Sequence, residues 1–115
     1  MREAAFKRCQ SLKEIRIPNS VWFIKREAFQ HCHKLERVYL PESLQKIDTF
    51  AFAGCTSLTN INACSDNLEV NMPYNVDYLD FYAFEDCPIK DLAREQTRQN
   101  ELNRIAENSY NHLHK

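Results

Sequence analysis

A single glycine in 115 residues is the first feature to account for. It excludes glycine-rich phosphate loops and the glycine-dependent dinucleotide fingerprint, because both need backbone that only glycine supplies. Long apolar runs are missing as well. Val21-Trp22-Phe23-Ile24 is among the longest, far short of the roughly 20 residues that span a bilayer as a helix. Net charge is nearly absent: 15 Lys plus Arg against 16 Asp plus Glu leave −1. That balance argues against a nucleic-acid binder, whose affinity rests on clustered cations. No secretory leader is legible, since Met1-Arg2-Glu3 runs straight into core-like sequence. Neither a Gly-x-Ser-x-Gly nor a His-Glu-x-x-His pattern occurs, and carboxylates are scattered over solvent positions, so no enzyme, cofactor or resident metal is expected. The hydrophobic share of 43% and charged share of 27% are ordinary for one globular domain.

Self-similarity is what the chain has in abundance. Phe6, Phe29 and Phe52 are 23 residues apart, each preceded by alanine (Ala5, Ala28, Ala51). Cys9, Cys32 and Cys55 keep that spacing, as do Leu12, Leu35 and Leu58, and then Ile15, Val38 and Ile61. Pro18 and Pro41, Val21 and Leu44, and Ile24 and Ile47 continue it. A fourth copy arrives 32 residues on, at Ala83-Phe84 and Cys87, with Pro73, Val76 and Leu79 at the matching offsets before it. The nine extra residues are therefore Cys64 to Met72.

Each unit reads physically. Leu12-x-x-Ile15-x-Ile17 alternates like a short half-buried strand, and proline closes it because proline cannot donate to a ladder. The Ala-Phe-x-x-Cys piece has i, i+3 spacing, which predicts a turn or two of helix with phenylalanine and cysteine inward. Such a unit cannot bury its apolar face alone, whereas stacked copies can. The run Cys-x-x-Leu-x-x-Ile-x-Ile-Pro-x-Ser-Val-x-x-Ile-x-x-x-Ala-Phe, from Cys9 to Phe29, resembles the BspA-like leucine-rich repeats. The resemblance covers residues 4 to about 89, three quarters of the chain. It implies an α/β architecture: a right-handed solenoid of strands and short helices with a parallel sheet on the concave side, and buried cysteines as free thiols. Two departures stand out. Lys25, Asp48 and Asp80 occupy a place where the family commonly has glycine, and Ser20, Ser43 and Asn75 occupy the usual asparagine position.

The candidate binding surface follows from strand alternation. Glu14, Arg37 and Asn60 should stack as one outward column and Arg16, Tyr39 and Asn62 as its neighbour. A Glu14–Arg37 pair and Arg16 stacked near Tyr39 are expected. Tyrosine and arginine favour a protein partner, although a solvated sheet face carries the same pattern. The insert reads as a contact loop, as an extra strand from the alternation of Leu68, Val70 and Met72, or as a plain tolerated insertion. Five cysteines beside His31 and His33 suggest zinc, but four of them occupy the repeated inward position; only Cys64 is off it and expected to be exposed.

The ends differ from the middle. The domain reading is a solenoid of about 3.5 repeats over residues 1–92 and a C-terminal capping helix over 93–115. Ile89 and Leu92 would make a last short strand. Leu102, Ile105, Tyr110 and Leu113 form one apolar stripe at helical spacing, expected either to cap the aromatic end around Tyr74, Tyr78, Phe81, Tyr82 and Phe84 or to dimerise. At the other end Leu12, Ile15, Ile17 and Trp22 would line an open coil, as in a piece of a longer array or an oligomer. The functional expectation is a non-catalytic module that recognises a protein through the concave face and the 64–72 insert. The alternatives are a self-associating spacer and an intracellular scaffold. Neither nucleic acid nor membrane insertion is expected. The resemblance points to a secreted or cell-surface setting.

Overall fold

The computed structural model describes residues 1–113, and the side chains of residues 1–110 among them. Seven short strands precede one helix: β1 Glu14–Arg16, β2 Phe23–Ile24, β3 Arg37–Tyr39, β4 Lys46–Ile47, β5 Asn60–Ile61, β6 Glu69–Val70, β7 Tyr78–Leu79 and α1 Lys90–Leu113. The strands form two wholly parallel sheets. The first has the order β1-β3-β5-β6 and the second β2-β4-β7. With the turns between them, each coil has three sides around one core. This is an α/β repeat solenoid ending in a C-terminal helix.

The 23-residue period becomes a register. Ile15, Val38, Ile61 and Val70 are aligned across the first sheet, and Ile24, Ile47 and Leu79 across the second. The second sheet is not predicted by the strand reading above, although its signal is Val21-x-x-Ile24, Leu44-x-x-Ile47 and Val76-x-x-Leu79 after Pro18, Pro41 and Pro73. Val38, Ile61, Ile24 and Ile47 are buried. Ile15 is half-buried because β1 is an edge strand, whereas Ile17, expected at an open end, is buried.

The third side corrects the helical expectation. The Ala-Phe-x-x-Cys segments are not helical; they are turns in which successive amides alternate between two partners. Phe29 N donates to Ala51 O of the next coil at 2.7 Å, while Ala28 N and Gln30 N bond back three residues, to Lys25 O and Glu27 O. Left-handed backbone makes the alternation possible. Ala4, Glu27 and Phe50 share one left-handed position, and Arg8, His31, Gly54 and Asp86 another. The one glycine is explained here. At Gly54 a Cβ would stand 2.4 Å from His31 Nδ1, in a backbone at φ +74°. His31 lies over it from the coil before.

Two ladders run through this side. The rings of Phe6, Phe29, Phe52 and Phe84 are stacked at centroid separations of 5.1, 5.0 and 5.2 Å, within 9° of parallel. Three thiols donate to the phenylalanine carbonyl one coil earlier: Cys32 to Phe6 and Cys55 to Phe29 at 3.1 Å, Cys87 to Phe52 at 2.9 Å. Cysteine suits the place because it fills space as a small hydrophobe and still supplies a weak donor. All five cysteines are free thiols. Contact with Cys55 and burial push the Cys32 thiol well above its ordinary range. At Cys55 the largest single influence, Cys32, pulls down, but Cys87 and burial outweigh it and carry the thiol up to about 12.

The last strand expected over Ile89 to Leu92 does not form. The helix begins at Lys90, with Asp91 in its first turn, where a negative charge is favoured. Ile89 and Ala93 are fully buried against the final coil. Among the described residues no helix is long and apolar enough to cross a membrane.

Candidate functional site

The nine-residue insert duplicates a strand. Ile61-x-Ala63 recurs as Val70-x-Met72, nine residues on, and Val70 pairs with Ile61 in register. Parallel neighbours ordinarily need a crossover of a dozen residues or more. Residues 62–68 suffice here because each strand is two residues long and the return path is correspondingly short. The insert is therefore part loop and part strand.

The loop folds over the outer face of the first sheet, and two side chains of that face, Arg37 and Asn60, hold it. Arg37 donates to Ala63 O at 3.3 Å, to Ser65 O at 3.0 Å and to Asp66 Oδ1 at 3.3 Å. Asn60 Nδ2 donates to Asn67 O at 2.9 Å. Asn62, left-handed at φ 55°, clamps the Leu40 backbone from both sides: its Oδ1 accepts from Leu40 N at 2.7 Å and its Nδ2 donates to Leu40 O at 3.1 Å. The short side chain of asparagine tolerates this backbone better than most.

These bonds correct part of the expected surface. Glu14, Arg37 and Asn60 do share one register, and Arg16 lies beside Tyr39. Yet Glu14 and Arg37 make no ion pair among the described residues, because Arg37 turns to the loop carbonyls instead. Asn60 is covered by the loop, with 2% of its surface accessible, and Asn62 is spent on the Leu40 backbone. The outward groups that remain are Glu14, Arg16 and Tyr39, rimmed by Asp66 and Cys64. The Arg16 guanidinium sits 4.3 Å from the Tyr39 ring centre. The Tyr39 hydroxyl meets Cys64 Sγ at 3.3 Å. That thiol first, and the Glu14 carboxylate second, push the phenol up to about 12, so it stays a neutral hydrogen-bonding group at any physiological pH. Beside Arg16 and Tyr39, a shallow groove runs along Pro18, Asn19 and Pro41.

The oligomer-or-cap residues fall elsewhere. Trp22 is exposed beside Phe23 at the edge of the second sheet, ring centres 5.7 Å apart. Lys46 Nζ lies between the Phe23 and Tyr78 rings, 4.6 and 5.0 Å from their centres. The helix does cover the last coil, but with its other face. Ala93, Gln96, Thr97 and Arg104 face the solenoid, whereas Leu102, Ile105 and Tyr110 are 47%, 55% and 62% exposed. The Leu113 side chain lies outside the described residues. The physical reason is that a coil end presents unpaired backbone groups, which polar side chains satisfy and an apolar stripe does not. Gln96 Oε1 accepts from Met72 N, and the Arg104 guanidinium donates to Tyr74 O and, at 3.3 Å, to Val76 O.

Among the described residues no three of His, Cys, Asp and Glu gather as metal ligands would. No curated protein and no solved structure matches the chain. A family model does: the BspA type leucine rich repeat region (6 copies) matches residues 1–115, the whole length. That match agrees with the parallel rungs, the register and the stacked phenylalanines already described. The chain belongs to the BspA-type leucine-rich repeat family.

Proposed function

We propose that this protein is a non-catalytic protein-binding module whose contact surface is the outer face of the first sheet together with the insert loop. Leucine-rich repeats commonly use such extended sheet faces for recognition. The observation that carries the reading is the anchoring of the loop by Arg37 and Asn60 beside Arg16, Tyr39 and Glu14. Sheet and loop thereby present one surface that needs no ordering on binding, which removes an entropic cost of association. Tyr39 and Arg16 are residue types that concentrate binding energy at interfaces.

The test is a paired capture experiment with chemical crosslinking. Arg16→Glu combined with Tyr39→Ala leaves Arg37 and the loop in place. The expected result is loss of the captured partner with an unchanged thermal transition; recovery of the same partner by wild type and variant contradicts the assignment.

A second reading, a self-associating spacer, draws on two observations. Leu102 and Ile105 lie on the helix face turned away from the solenoid, and β1 and β2 are edge strands of their sheets.

A further inference from the structure

The two sheets are unequal, and the inequality leaves a gap. The first sheet has four strands and the phenylalanine stack four rings, but the second sheet has three strands. The insert supplies β6, the fourth rung of the first sheet, and α1 packs against it. Among the described residues nothing supplies a fourth rung for the second sheet. Beside β7 there is instead a cleft of about 680 Å³, bounded on one side by Asp77 to Leu79 and on the other by α1 from Asp91 to Glu101.

The cleft has the chemistry of an unfilled strand position. The amides of Tyr78 and Asp80 are already bonded to β4, through Gln45 O and Ile47 O. The N–H and C=O of Leu79, between them, point the opposite way, because successive residues of a strand alternate their hydrogen-bonding direction. They face the cleft as an open parallel edge, a ready template for another extended chain. The charges lining it are not balanced. Arg98 is engaged by Glu95 at 2.7 Å, and Arg94 lies 4.1 Å from the Phe81 ring centre. Asp77, Asp91 and Glu101 have no ion-pair partner among the described residues. Tyr78 and Phe81 add aromatic surface to the cleft, already in contact with the chain's own Lys46 and Arg94.

We propose that the cleft between β7 and α1 takes an extended cationic segment of a partner protein, which adds to β7 as the missing fourth strand of the second sheet. Backbone bonds to Leu79 give the segment its register, and Asp77, Asp91 and Glu101 select lysine or arginine along it. This surface is separate from the first-sheet face proposed above, so either reading stands or falls without the other.

The probe is a fluorescein-labelled hexapeptide of alternating lysine and valine, read by fluorescence anisotropy and by the Leu79 amide signal in nitrogen–proton correlation spectra. Binding is expected, with the Leu79 amide shifted and protected from exchange. Three controls sharpen it. A glutamate–valine peptide should not bind. A lysine–valine peptide N-methylated at alternate amides should bind about tenfold more weakly, and so should the standard peptide to the Asp77→Lys, Glu101→Lys variant, since like charges repel at the contact. Arg16→Glu should leave binding unchanged. The proposal is overturned if the glutamate peptide binds equally, if binding leaves the Leu79 amide unmoved, or if a second copy of this chain fills the cleft and mass rises with concentration. The Leu79 signal decides the matter in the wild-type protein even where the double variant fails to fold.

Discussion

Gly54 and the stacked rings beside it show how few side chains hold the third side of the coil. Gly54→Ala introduces a methyl group 2.4 Å from His31 Nδ1 at a left-handed position. The variant should lose about 1–3 kcal/mol, read as a lower midpoint in urea unfolding with an unchanged slope. The thiol ladder makes a second prediction. Cys55, raised from 9.0 to about 12, and Cys32, raised further, stay protonated in the folded chain where an unfolded chain would ionise. Below about pH 9 both states carry the proton, and the ladder contributes its full stability. Above it the unfolded state loses protons that the folded state keeps, so stability should fall by about 1.4 kcal/mol per pH unit for each such thiol up to about pH 12. Equilibrium unfolding between pH 8 and 11 measures it; a flat profile contradicts the ladder. Alkylation at pH 8 should modify Cys64 and spare Cys32 and Cys55 until denaturant is added.

At the scale of elements, the helix separates two kinds of surface on one amphipathic segment. Leu102 and Ile105 face solvent while Gln96 and Arg104 bond the backbone of residues 72–76. Leu102→Gln with Ile105→Gln should therefore change the stability of the monomer by less than about 0.5 kcal/mol each. Gln96→Ala, which leaves the Met72 amide without its partner, should cost about 1–3 kcal/mol. The opposite order in thermal unfolding would restore the apolar stripe as the capping face. Hydrophobic periodicity alone points to that stripe, because periodicity reports where apolar residues lie and not what the surface opposite requires. The insert is a related case. Val70 and Met72 repeat Ile61 and Ala63 at a spacing of nine, and alternation alone leaves loop and strand equal. Pairing of β6 with β5 is a long-range property, decided by an open sheet edge that the sequence does not display.

For the whole molecule, the repeat made the stack legible: recurring Phe, Cys and Ile positions become aligned rungs because each unit can bury its face only on its neighbours. The outward face was legible as columns, since β3 follows β1 in simple register, and the Arg16–Tyr39 contact follows from it. What the columns do not reveal is that a loop bends back over them. Arg37 and Asn60 are thereby turned from surface groups into anchors. The second sheet was also hidden, its two-residue strands being too short for an alternation pattern to register. The resulting molecule has four rungs on one side and three on another. It offers a preformed sheet-and-loop surface, and its exposed helix stripe and edge strands stand as the competing surfaces for self-contact.

Those two uses of the molecule are separated most directly by solution mass, measured by light scattering across about a hundredfold range of concentration spanning the micromolar affinities typical of weak self-association. A module built to recognise a different protein should weigh 13.6 kDa at every concentration. A mass that climbs toward multiples of that value on concentration, and falls back on dilution, would contradict the binding-module account and give the chain's exposed surfaces to copies of itself.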